Sequence, residues 1–175
     1  MVNLNYKLNY IFARRSIRKY QDKAIPEEML ADLLAAAMAA PSAVAKDPWH
    51  FIVVQNRETL NKLTAILPNG KMLHQATAAF VVCGDISKAH RQQESYLLQD
   101  LSAAVENILL AANTLGLGTC WLGVHPREDR QTGIRQLFTL PAQIIPMCGI
   151  AIGWPAEQPE ARTRYNPDRV HREKW

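Results

Sequence analysis

Aromatic residues are scarce in this chain, 7% of 175 positions, and none is interleaved with a basic stripe. A single-strand nucleic-acid binder needs such stacking platforms, so that class is the weakest reading. Cysteine is rare too. Cys83, Cys120 and Cys148 each lie in an apolar, strand-like run, and no two stand at metal-ligand spacing. The pattern is that of buried, reduced thiols in a cytosolic protein, so a cytoplasmic location is expected. No apolar run approaches membrane-spanning length. The first residues, Met1-Val2-Asn3-Leu4-Asn5, lack the charged and apolar regions of a secretory signal. Repeats, low-complexity tracts and inter-domain linkers are absent from the sequence, which reads as one domain over 1–175.

The chemical signatures are missing as well. There is no G-x-G-x-x-G after the first strand, no G-x-x-x-x-G-K-[ST] and no G-x-S-x-G elbow. The five histidines include no H-x-x-x-H pair, and Asp100 and Glu106 stand six apart, off a shared helical face. A chain without a nucleophile–base set is either non-enzymatic or borrows its chemistry from a cofactor.

What is present begins with ordinary globular composition: 48% hydrophobic, 21% charged, net charge +4. The excess of cations is too diffuse to demand nucleic acid, but a bound anionic cofactor would use some of it. Leu4, Leu8 and Ile11 fall at i, i+4, i+7 and predict a short amphipathic helix. Pro26 with Glu27 and Glu28 opens a second helix that runs to Ala40. A proline-bounded loop covers Pro41 to Pro48, and Trp49 to Val54 reads as a strand. Residues 57–67 predict a helix broken by Pro68-Asn69-Gly70, and 71–77 a short turn. Further strands are expected at 79–84, 119–124 and 144–153, with helices at 91–115 and 127–138. Gly116 marks a helix stop. The tail from Trp154 to Trp175 is too polar to pack alone and suits lying across another surface, such as that of a second subunit. The unequal spacing of strands and helices predicts an α+β fold with one sheet flanked by helices.

Two basic clusters stand out. Arg14-Arg15-Ser16-Ile17-Arg18 places three guanidinium groups and a hydroxyl in five residues. Arg offers a planar fork of donors and keeps its charge, which suits a phosphate. If residues 161–165 are extended, Arg162 and Arg164 point to one side as a second anion clamp. Short basic runs are more often solvated faces, and neither cluster decides the matter alone.

The ordered set of motifs resembles the FMN-dependent nitroreductase family, of the short single-domain kind, over nearly the whole chain. The resemblance rests on Arg14-Arg15-Ser16-Ile17-Arg18, on Ala40-Pro41-Ser42 leading to Pro48-Trp49-His50-Phe51, and on Gly116-Leu117-Gly118-Thr119 leading to Trp121-Leu122-Gly123. Gly149 to Pro155 and the closing Val170 to Trp175 complete it. The resemblance implies a nitroreductase-like α+β fold with a central, mostly antiparallel sheet in an intertwined homodimer, FMN at the subunit interface and the tail over the partner. It implies that Arg14, Arg15 and Ser16, with Arg162 and Arg164, serve the phosphate and ribityl chain. Arg18 would sit near the N1–C2=O edge of the flavin, where a cation stabilises negative charge. Pro41, Ser42 and Ala43 would approach from the partner subunit. Leu122 and Gly123 would line the ring, with a backbone N–H directed at N5. Asn69 and Lys71 fall where the family often has further contacts.

The implied activity is electron transfer from NADH or NADPH through FMN to a nitroaromatic, quinone or similar small acceptor, by ping-pong kinetics, with no nucleic acid or membrane as partner. A flavin binder without turnover, or a relative with a specialised reaction such as dehalogenation or flavin destruction, are the alternatives. Two departures bear on the acceptor: Ala45 stands where the family usually has Asn, and Asp47 where it often has Gln.

Overall fold

The computed structural model describes residues 6–175. Its centre is strand β2 (Ala78–Asp85), buried along its whole length. β2 pairs antiparallel with β1 (Trp49–Val54) on one side and with β4 (Ile144–Gly153) on the other; β4 in turn pairs antiparallel with β3 (Gly118–Gly123). The sheet order is β1-β2-β4-β3, so β3 is an edge strand.

The middle strands are apolar on both faces because helices cover both. Phe80, Val82, Ile150 and Ile152 point to one side, and Ala79, Val81, Cys83 and Ala151 to the other, as the two-residue period requires. Helices α2 (Glu27–Met38) and α4 (Glu94–Thr114) pack on the first face, and α3 (Arg57–Ile66) and α5 (Glu128–Phe138) on the second. Leu97, Leu101, Ala104, Val105, Ile108 and Ala112 of α4 are fully buried. Each large apolar side chain buried this way contributes about 1.5–3 kcal/mol. Gly84 lets α4 come close: a Cβ there would clash with the Leu97 side chain.

Helix ends follow local chemistry. Asn56 caps α3 by accepting from the Thr59 N–H at 3.0 Å. At the end of α4, Gly116 takes φ 76°, and the N–H groups of Leu117 and Gly116 donate to the Ala112 and Asn113 carbonyls. This is the glycine-terminated closure that the sequence predicts.

Some expectations change. Leu4 lies outside the described residues. The rest of the first predicted helix is one α turn, α1 (Asn9–Phe12), after a 3-10 turn at Tyr6–Leu8. No side chain caps it, and Leu8 and Ile11 are exposed instead of facing this chain's core. The long helix begins at Glu94, because Arg91 and Gln92 take left-handed φ values of 53° and break the helical path before it. The sheet is wholly antiparallel among the described strands.

Candidate functional site

The site is built on the open edge of β3. Residues 16–21 run along that edge: the Ile17 N–H donates to the Thr119 carbonyl at 2.8 Å, and Ser16 bridges Thr119 in parallel. On its other side the segment meets the start of the tail. Gln21 N–H donates to the Trp154 carbonyl at 2.8 Å and Ala156 N–H to the Lys19 carbonyl at 2.9 Å. Glu157 then accepts the backbone N–H groups of Arg18 and Lys19 on one oxygen, at 2.5 and 3.2 Å. Tyr20 fills the corner beneath, its hydroxyl donating to the Ile17 carbonyl at 2.7 Å. Burial raises that phenol far above its ordinary value.

This splice brings the two basic clusters together. The tail continues past Glu160, whose carbonyl accepts from Arg15 Nη1, to Arg162, whose N–H donates to the Phe12 carbonyl at 3.1 Å. The result is a cavity of about 320 Å³ lined by Arg14, Arg15, Ser16, Arg18, Arg162 and Arg164, with Ile11 as its apolar side. Arg15 and then Arg164 lower the Arg162 guanidinium from its ordinary value by repulsion. Among the described residues, the one salt bridge to a lining guanidinium is Arg14 with Glu106, at 3.6 Å. A concentration of cations with so little compensation fits a doubly charged phosphate.

Arg18 also lines a second cleft, of about 720 Å³, with Asn69, Lys71, Cys120, Trp121, Leu122, Gly123 and Arg130. The two cavities therefore meet at Arg18. A third cavity, of about 800 Å³ under tail residues 155–161, sets Glu157 and Glu160 beside Arg14 and Arg15, and its charge is more nearly balanced.

The direction of the Gly123 amide follows from ladder parity. Along an edge strand, alternate residues turn both backbone groups toward the neighbour or away from it. The Thr119 carbonyl points away from β4, to Ile17, whereas the Val124 N–H points toward β4, to the Met147 carbonyl at 3.1 Å. Residues 119, 121 and 123 thus face off the edge. The Gly123 carbonyl agrees, accepting from Arg130 Nη1 at 2.7 Å. A Cβ on Gly123 would meet nothing within 4 Å, so the side-chain face of this residue is open in the protein itself.

Asn69, Lys71, Leu122 and Gly123 are thus gathered in one cleft, and the five arginines with Ser16 in the adjoining cavity. Pro41, Ser42 and Ala43 line neither. Their loop is tied instead to α4, where the Ala43 N–H donates to Asp100 Oδ1 at 2.8 Å. Val44, Ala45 and Asp47 take φ of 57°, 50° and 46°, and the Asp47 N–H returns to Ser42 Oγ at 3.0 Å. Cys120 lines the cleft with its thiol raised by burial. Sequence reasoning missed Arg130 and Glu157. Both sit in polar stretches where charged residues are unremarkable, and only the sheet edge brings them to the site.

The sequence model of the nitroreductase family matches residues 11–70 and 65–154. The chain belongs to the nitroreductase family. A relative from Methanothermobacter thermautotrophicus, provisionally named an NADH dehydrogenase/NAD(P)H nitroreductase, is 51% identical over 168 residues, 96% of this chain and 87% of its own. Among solved structures of the family, a provisionally named NADH dehydrogenase/NAD(P)H nitroreductase from Parabacteroides distasonis matches with a TM-score of 0.92 at 37% identity, over 98% of this chain and all of its own. A provisionally named nitroreductase from Desulfovibrio desulfuricans, solved in complex with FMN, matches with a TM-score of 0.83 at 29% identity, over 99% of both chains. The antiparallel α+β architecture described above is therefore the nitroreductase fold.

Proposed function

We propose that this protein is an FMN-dependent oxidoreductase that takes electrons from NADH or NADPH and passes them to a nitroaromatic, quinone or similar acceptor. The observation that carries the reading is the junction of the two cavities at Arg18: an arginine cradle of phosphate character opens onto a cleft with an outward-facing backbone amide. The residues fit FMN, since five guanidinium groups in the cradle meet one carboxylate, Glu106 beside Arg14, and the side-chain face of Gly123 is empty of protein.

Arg14, Arg15, Ser16, Arg162 and Arg164 hold the phosphate and ribityl chain. Each charge-assisted hydrogen bond to the phosphate contributes about 1.5–3 kcal/mol. Arg18 stands where the cradle meets the cleft and holds a fixed positive charge at the N1–C2=O edge of the ring. Glu157 sets its backbone. Asn69 and Lys71 line the same cleft, Leu122 lies under the ring, and the Gly123 N–H donates toward N5. Bound FMN supplies the redox chemistry, receiving two electrons from the nucleotide and releasing them to the acceptor. Donor and acceptor use one cleft in turn, so the kinetics are ping-pong.

The functional unit is a homodimer in which Pro41, Ser42 and Ala43 reach the flavin of the second copy and the tail lies over that copy. Supporting this, Leu8, Tyr10, Ile11, Met38, Val44 and Trp175 are large apolar residues left exposed by the single chain. All three cysteines are unpaired, in keeping with work in the reducing cytoplasm. No described helix is long and apolar enough to cross a membrane.

The test is a visible spectrum of the purified protein with FMN added, followed by anaerobic NADH or NADPH. Bound flavin that bleaches with either nucleotide and regains colour with a nitroaromatic is the expected result. A protein that binds no flavin ends the proposal, and bound flavin that never bleaches makes it a binder without turnover.

A further inference from the structure

The cleft contains a cation that the flavin-binding set does not use. Arg130 lies in the first turn of α5, and its Nη1 is tied to the Gly123 carbonyl at 2.7 Å. Its Nε is buried and has no hydrogen-bond partner in the protein. Guanidinium has five donors in a rigid fork, so one anchored bond leaves the remainder for a ligand. The acid next in sequence does not neutralise it, because Asp129 sits 3.4 Å from Arg127 instead.

The cleft as a whole is uncompensated. Its lining holds Arg18, Lys71 and Arg130 and no carboxylate. Glu157, the nearest acid to Arg18 by hydrogen bonding, lies on the backbone side and is not part of that lining. Low-dielectric walls around like charges focus a positive potential into the opening. The apolar part of the wall comes from Leu67, Met72, Trp121 and Leu122. A flat aromatic body bearing an anionic group matches both features.

We infer that Arg130 is a binding residue for the redox partner, taking a carboxylate or phosphate carried by the molecule that exchanges electrons in this cleft. The inference deepens the function proposed above and rests on it. Because Arg130 is fixed to Gly123, the anion it holds lies beside the amide where that partner must approach. The same chemistry has two sources: an acidic electron acceptor, or the diphosphate of the nicotinamide nucleotide.

The experiment measures dissociation constants by titration calorimetry for 4-nitrobenzoate, its neutral isostere 4-nitrobenzamide, and NAD⁺. Parent, Arg130→Ala and Arg130→Lys proteins are compared, with FMN content and thermal midpoint recorded for each. Loss of a bidentate charged contact should weaken the anionic ligand about tenfold relative to the amide. Arg130→Lys should recover part of the loss, keeping charge without the fork. A loss confined to 4-nitrobenzoate assigns the subsite to acidic acceptors, and one confined to NAD⁺ assigns it to the nucleotide.

Unchanged affinity for both anions overturns the inference. An equal loss for the amide overturns it too, since that marks a structural role for the Gly123 tie. Should Arg130→Ala fail to fold, Arg130→Gln, which keeps bulk without charge, decides: weaker binding of either anion relative to the amide supports the inference, and parental affinity for both refutes it. A protein that holds no FMN yet shows the Arg130-dependent preference removes the proposed function and leaves the subsite. A flavin-holding protein with neither that preference nor an Arg130-dependent NAD⁺ affinity removes the subsite alone.

Discussion

Replacing Gly118 by Ala should damage the site through one side chain, and the contact can be worked out atom by atom. A Cβ at 118 would lie 2.8 Å from both Cβ and Cγ2 of Ile17 and 2.9 Å from its Cγ1. Ordinary contact begins near 3.4 Å, so Ile17 must retreat by about 0.6 Å. Ile17 is β-branched and stiff at χ1, so rotation cannot absorb the clash. The segment itself must lift from β3, against the Ile17–Thr119 hydrogen bond, and Ser16 and Arg18 lift with it. Overpacking of this kind costs about 1–3 kcal/mol. For a chain of this size the thermal midpoint should fall by about 2–4 °C per kcal/mol. Displacing the cradle should also weaken FMN about tenfold, the equivalent of about one charge-assisted hydrogen bond.

Gly116→Ala is the control. It is strained by its φ of 76° and costs about 1 kcal/mol, but its Cβ would approach only Trp154 Cζ3, at 3.9 Å. It should lower the midpoint with little effect on FMN affinity. Adding Ile17→Ala to Gly118→Ala removes two of the three clashing atoms. The pair should therefore be less destabilised than the sum of the singles by about 1 kcal/mol. Thermal denaturation and flavin-fluorescence titration of the four variants read both effects. A Gly118→Ala protein with parental midpoint and FMN affinity, or additive behaviour in the double mutant, refutes the placement of Ile17 between edge and cradle.

Gly123→Ala should behave in the opposite way: its Cβ meets no protein atom, so the flavin-free midpoint should hold while FMN affinity falls about tenfold, read by the same titration. Arg162→Ala should weaken FMN binding and flatten its salt dependence, yet leave the flavin-free midpoint unchanged or higher, because Arg15 and Arg164 repel that side chain. The thiols set an alkaline limit. Burial pushes Cys83 up to about 12 and raises Cys148 and Cys120, so the folded state holds protons that the unfolded chain releases above about pH 8.5. That stability is complete below this pH and is lost as pH rises toward 12, which urea denaturation between pH 8 and 11 should show. The same burial should keep all three thiols silent to a disulfide reagent at pH 8 until the protein unfolds.

Local pattern carried the elements. Trp49–Val54 and Ile144–Gly153 are apolar runs bounded by turn residues, and they form strands over those residues. Pro26 with two glutamates starts a helix where a fixed φ and the positive end of the helix dipole favour it. The family was legible too, because its motifs keep their order along the chain. With it came the grouping of Arg14–Arg18 with Arg162 and Arg164, as an implication of resemblance.

Tertiary structure decided how that grouping is made. The clusters are more than a hundred residues apart, and they meet because the 16–21 segment is clasped between β3 and residues 154–156. The outward turn of the Gly123 amide depends on β3 being an edge strand and on the parity of its ladder with β4. Glu157 and Arg130 acquire roles only when those backbones are adjacent. Helix and strand preferences arise from interactions within a few residues, which a sequence displays directly. Edge position, ladder parity and the meeting of distant charges arise from how the whole sheet closes, and no short stretch of the chain contains that information.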